Sequence, residues 1–223
     1  MSAKLFLGAI AKFLLGVVLV GVLVFLPAGT FNYFGGWLLM GILFVPMFLA
    51  GIVMMFVNPD LLKKRLNAKE KEREQSIVVK LSGLMFILGF VVASLDFRFG
   101  WFPLPTGVSI GGAVVFLLAY IMYAEVLREN TYLSRTIELQ ENQKVISTGL
   151  YGVVRHPMYS ATLLLFLSIP IVLGSLISFL IFLSYPFIIA KRIKNEEKVL
   201  TQNLEGYKEY KEKVKYRLIP CIW

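Results

Sequence analysis

Charged residues fall in blocks, and long apolar runs separate them. Between Phe13 and Pro59 there is no charged residue, and the one interruption, PAGTFNYFGG at 27–36, is made of turn formers. A helix needs about 20 apolar residues to cross a bilayer, so this region predicts two helices, near 5–26 and 35–57, joined by a short loop. The polar run NPDLLKKRLNAKEKEREQS follows at 58–76. A third helix is expected near 77–96 and a fourth near 108–127, with the aromatic and proline-rich DFRFGWFPLPTG between them. After a polar connection at 130–155, carrying Arg135, Lys144 and Arg155, residues Pro157 to Ala190 form 34 uncharged positions. That is too many for one span and too few for two full spans with a turn. With Pro170 and Gly174 as breakers, the pattern predicts a tight hairpin of helices at 157–172 and 175–192. The remaining tail has helical spacing to about residue 202, a break at Gly206 and a second short helix. The expected fold is all-α: a polytopic helical bundle of about six spans in one domain, 1–223. Residues 1–128 hold four transmembrane helices, and 129–223 hold the connection, the hairpin and a cytoplasmic helical tail.

Composition agrees with this pattern. The chain is 57% hydrophobic with a mean hydropathy of +0.73, above the 45–50% or so of ordinary soluble domains. Its net charge of +9 lies in clusters between the apolar runs, an arrangement that speaks for orientation in the membrane and contact with anionic lipid rather than for nucleic acid. Six Lys/Arg in 58–76 and nine in the tail from Lys191 onward place both segments, both termini and the candidate site on the cytoplasmic face. The membrane is the plasma membrane in a prokaryote or the endoplasmic reticulum in a eukaryote. The first apolar run is longer than the h-region of a signal peptide and leads into another span, so a retained helix is expected. Cys221 is the single cysteine and His156 the single histidine, which excludes an internal disulfide and speaks against a metal site. Cys-Ile-Trp is one residue short of a prenylation box. Oligomeric state is left open.

The candidate chemistry lies where the hairpin enters and leaves the membrane. Tyr151, Arg155, His156 and Tyr159 stand at the entrance, and Arg192, Glu196 and Glu197 at the exit; a hairpin brings the two sets side by side. Pro157 suits the first turn of a helix, and the residues before it flank free amide groups that attract anions. The tyrosines offer flat faces for a purine or a cation, and the glutamates offer negative charge for an ammonium, a sulfonium or a ribose diol. Each residue also has a plain structural reading: Arg155 as a positive-inside anchor, His156 as an interfacial hydrogen-bonding group, the glutamates as partners of Lys191, Lys194 or Lys198 on their own helix, worth a few tenths of a kcal/mol. On these residues alone the chain is a membrane protein with a small-molecule site, and the reaction stays open.

QKVISTGLYGVVRHPMYSA, followed by RIKNEEKVLTQNLEGYKEYKEKVKYRLIP, resembles the isoprenylcysteine carboxyl methyltransferase and phospholipid methyltransferase superfamily of integral membrane enzymes, over roughly residues 125–223. The resemblance implies S-adenosylmethionine as methyl donor, bound between the last hairpin and the tail. It implies that Gln143, Lys144, Val145 and Ile146 form a strand-like stretch along the cofactor, and that Tyr151, Arg155, His156, Pro157, Met158, Tyr159 and Glu196 contact it. Arg192 matches an arginine on the acceptor side, and Glu197 or Tyr159 would assist proton removal from an amine acceptor. Ala161 departs from the glycine of many relatives. The implied activity is methylation of the carboxylate of a prenylcysteine-like or other lipophilic acceptor. Alternatives are N-methylation of a phospholipid amine, an NADPH-dependent membrane sterol or enone reductase, and a non-catalytic membrane scaffold.

Overall fold

The computed structural model describes residues 3–66, 73–133 and 142–223. Arg135 and the middle of the 58–76 charge run lie outside the described residues. The helices are α1 (Ala3–Ala28), α2 (Phe34–Val57), α3 (Pro59–Leu66), α4 (Arg73–Phe99), α5 (Thr106–Glu129), α6 (Pro157–Val172), α7 (Leu176–Phe182), α8 (Tyr185–Asn203) and α9 (Tyr207–Lys213). Five helical stretches are long and apolar enough to cross a membrane: 6–28, 34–57, 75–99, 106–129 and 176–203. Between the last two lies α6, apolar but only 16 residues long, or about 24 Å at 1.5 Å per residue. The chain is a polytopic helical bundle, as its pattern predicts.

The first arm of the hairpin, α6, has the expected bounds and contains Pro170; the turn comes at Leu173–Ser175, where Gly174 takes φ +76°. The second arm, expected as one helix at 175–192, is divided into α7 and α8. Pro186, in the first turn of α8, has no N–H to continue the ladder from α7, and the chain restarts at Ser184. The long α8 then carries the helix beyond the apolar run to Asn203 and brings Glu196 and Glu197 with it.

Close helix crossings hold the hairpin in the bundle. A Cβ at Gly112 of α5 would come within 2.7 Å of Ile171 Cγ2 and 3.2 Å of the Val172 backbone nitrogen. A Cβ at Gly35 of α2 would lie 2.8 Å from the Val172 carbonyl oxygen, and one at Gly89 of α4 would overlap the ring of Phe182. Small residues therefore allow backbone and side chains to meet where no hydrophobic force draws helices together in lipid. Phe182, Phe116, Leu39, Val24 and Ile193 fill the centre, and Leu15, Leu26, Phe56, Val57, Leu118 and Phe187 form an exposed apolar belt.

Polar groups lock the far end of the hairpin. Asp96, fully buried, accepts from the Phe102 amide at 2.7 Å and from the Ser175 hydroxyl at 2.5 Å, and Tyr33 donates to the Leu173 carbonyl at 2.6 Å. The Leu104 amide bonds the Gly174 carbonyl at 2.8 Å. The α4–α5 loop and the hairpin turn are thus one hydrogen-bonded unit, as buried polar groups require.

Candidate functional site

The opposite end of the hairpin carries the candidate site residues. His156 is the N-cap residue of α6 and Pro157 its first-turn proline, so the chain turns abruptly from the short helical turn Gly149–Gly152 into α6. Tyr151, Arg155, His156 and Tyr159 are all buried there. The tail then wraps across this entrance. Arg155 and His156 donate their backbone amides to the carbonyls of Tyr216 and Arg217, each at 2.9 Å, and the Ser160 hydroxyl donates to the Leu218 carbonyl at 2.6 Å.

A carboxylate lies at the centre of this wrap. Glu197, 4% exposed, accepts from Arg155 Nε at 2.7 Å and Arg217 Nε at 3.0 Å, and its Oε1 is 3.3 Å from His156 Nε2. The other face of the Arg155 guanidinium donates to the carbonyls of Val214 and Lys215, both at 2.7 Å. Glu197 therefore joins α8, the α6 entrance and the tail, with its oxygens engaged by two guanidinium groups and beside the His156 imidazole. A carboxylate held in this way serves the fold, and Glu197 is not among the residues that line the adjacent cavity. Arg155 gives its Nε to Glu197 and its Nη1 to the tail, and it also lines that cavity.

Beside this latch a cavity opens. It is lined by Gln143, Lys144, Val145, Ile146, Tyr151, Arg155, His156, Met158, Tyr159, Arg192 and Glu196, with Asn130, Tyr132, Leu133, Val199, Leu200, Leu204, Tyr207 and Tyr210 completing the wall. Of the residues expected at the site, Pro157 and Glu197 do not line it. Residues 143–146 run along it in irregular backbone and not in a strand.

The cavity has two unlike regions. In the first, Arg192 Nε donates to the Tyr159 hydroxyl at 2.9 Å, and that hydroxyl donates to Glu196 Oε2 at 2.6 Å. Arg192 and Glu196 are four apart on α8, so one helix face presents a cation and an anion to a tyrosine of α6. The second is built of aromatic and aliphatic side chains within the fields of Glu196 and Glu197. After α8 ends, Gly206 adopts φ +77° and turns α9 back, so that Tyr207 and Tyr210 pack with Val145, Leu200 and Leu204. Tyr210 donates to the Tyr151 carbonyl at 2.7 Å, and Asn130 Nδ2 donates to the Tyr151 hydroxyl at 2.9 Å. Burial pushes the phenol pKa values of Tyr151, Tyr207 and Tyr210 up, and they remain protonated at neutral pH. The Tyr207 hydroxyl is buried and has no hydrogen-bond partner among the described residues.

The tail tyrosines were readable as an interfacial amphipathic element, but their spacing of three in EGYKEYKEK puts them on one face of a short helix, which is the signal for a second wall. Asn130, Tyr132 and Leu133 carry no comparable signal, because the path of the chain beyond α5 decides their place.

Apolar helices of spanning length identify an integral membrane protein, and the cavity lies where the helices pass into the charged tail. No curated protein matches the chain. A family model does match. Residues 107–206, from the start of α5 through the hairpin to the turn before α9, match the model described as Phospholipid methyltransferase.

Proposed function

We propose that the chain is an S-adenosylmethionine-dependent methyltransferase that acts at the cytoplasmic face of a membrane on the carboxylate of a lipophilic acceptor, a prenylcysteine or a similar lipid acid. The observation that carries this reading is the Arg192–Tyr159–Glu196 relay on the cavity wall. It sets an anion and a cation side by side on the wall of a cavity that Tyr151, Tyr207 and Tyr210 also line. The residues fit the proposed donor: Glu196 faces a positive centre, the tyrosine-lined region takes a flat base, and the buried Tyr207 hydroxyl has a hydrogen bond still to make.

The bound donor supplies an electrophilic methyl on sulfur, transferred by in-line displacement. The protein's share is alignment and dryness. The Arg192 guanidinium holds an acceptor carboxylate, and Tyr159 fixes the rotamers of both Arg192 and Glu196. The tail latched by Glu197 closes the site on its water side, and the bilayer admits the acceptor laterally. A carboxylate is ionised at pH 7 and needs no base, which agrees with a site whose second glutamate is committed to structure.

A second reading, N-methylation of a phospholipid amine, is favoured by the description of the matched family. Vesicle-reconstituted protein, given methyl-labelled S-adenosylmethionine with a farnesylcysteine analogue and with phosphatidylethanolamine, separates the two. The carboxylate reading expects base-labile label on the cysteine analogue. It also expects Arg192→Ala to reduce kcat/KM by about a hundredfold or more, as loss of a desolvated charge contact does. Base-stable label confined to the phospholipid would transfer the assignment to the amine reading.

A further inference from the structure

Tyr207 is buried to 4% exposure, lines the cavity, and ends in a hydroxyl with no partner among the described residues. A folded protein does not ordinarily leave such a group unmatched, because a buried unsatisfied hydroxyl costs free energy that a phenylalanine would avoid. Its neighbour shows the contrast: Tyr210, one turn further along α9, donates to the Tyr151 carbonyl at 2.7 Å and serves the fold. The surroundings restrict what Tyr207 can meet. Val145, Leu200, Leu204 and the Tyr210 ring, 5.8 Å away between centroids, pack around its side chain. Its hydroxyl lies in the fields of Glu197 and Glu196, which oppose a further anion there and favour a neutral acceptor. A flat heterocycle with a ring nitrogen at its edge fits both the walls and the hydroxyl.

We infer that Tyr207 is the base-recognition residue of the site, its hydroxyl donating to a ring nitrogen of the purine of the bound nucleoside cofactor. The inference rests on the methyl-donor reading and deepens it. The cofactor is thereby oriented, with its purine against α9 and its charged portion toward Arg192, Tyr159 and Glu196. Gly206 directs the residue: its φ of +77° turns α9 back after α8, and a Cβ there would only touch Val145 Cγ2 at 3.9 Å.

The test compares wild type with Tyr207→Phe, binding S-adenosylhomocysteine and its 1-deaza, 3-deaza and 7-deaza purine analogues by calorimetry in detergent. Thermal unfolding of the ligand-free proteins is followed in parallel. Wild type is expected to bind S-adenosylhomocysteine and to lose affinity for one deaza analogue. Tyr207→Phe is expected to bind S-adenosylhomocysteine about tenfold more weakly, to show no further loss with that same analogue, and to unfold at an equal or higher temperature. The inference is overturned if Tyr207→Phe binds within twofold of wild type, or if the deaza penalty persists undiminished in it. A lower unfolding temperature with affinity unchanged would give the hydroxyl to the fold and overturn it also. If folded wild type binds no S-adenosylhomocysteine, the methyl-donor reading itself fails, a result separate from any effect of Tyr207.

Discussion

Glu196 and Glu197 are adjacent in sequence and opposite in duty. Glu196 faces the cavity and accepts from Tyr159, while Glu197 is buried between Arg155, His156 and Arg217. A helix rotates about 100° per residue, so neighbours point to different faces, and the sequence alone offers no rule for which carboxylate is structural. The difference predicts opposite phenotypes. Glu197→Gln leaves two guanidinium groups and an imidazole around a neutral amide, a loss of about 3 kcal/mol by analogy with broken buried pairs, discounted for Arg217, which is partly exposed. Differential scanning fluorimetry should show an unfolding temperature lower by several degrees. A general base would behave otherwise: its removal would lower the turnover rate and leave the unfolding temperature in place. The candidate residues were legible by type, since the hairpin geometry alone places Tyr159, Arg192 and Glu196 together. Their hydrogen-bond partners were not, because they depend on a tail whose path follows from Arg155 binding carbonyls about 60 positions away.

Among the elements, the hairpin α6–α8 determines most of the site, and glycines determine where it sits. Gly112, Gly35 and Gly89 each face a neighbour closer than a methyl group allows, whereas Gly41 faces none. Gly112→Ala should destabilise the bundle by about 1–3 kcal/mol, the range for overpacking, and lower its thermal midpoint. Gly41→Ala should leave that midpoint unchanged. Equal midpoints for the two would show that the α5–α6 crossing has room to adjust. The apolar runs made the existence and order of these helices readable, because a membrane permits little other than helices across it. The exact breaks were less readable. Proline is tolerated inside α1, α2 and α6, yet Pro186 coincides with the start of α8. Which proline interrupts a helix depends on whether the freed carbonyl finds another donor, and that is set by packing.

For the whole molecule, the architecture divides labour between two ends. At one, Asp96, Ser175 and Tyr33 tie the hairpin turn to the rest of the bundle. At the other, α8 and the tail extend past the apolar belt and surround a cavity lined with charge and aromatic rings. Under the proposed function, a polar donor and a lipid acceptor enter this cavity from different solvents. The most direct measurement is calorimetric titration of the folded, detergent-solubilised protein with S-adenosylmethionine and, separately, with NADPH, for wild type and for Glu196→Ala. Wild type is expected to bind S-adenosylmethionine and not NADPH, and Glu196→Ala to lose most of that affinity while remaining folded. Binding of NADPH alone, or S-adenosylmethionine binding equally strong in Glu196→Ala, would contradict the proposed methyl-donor site.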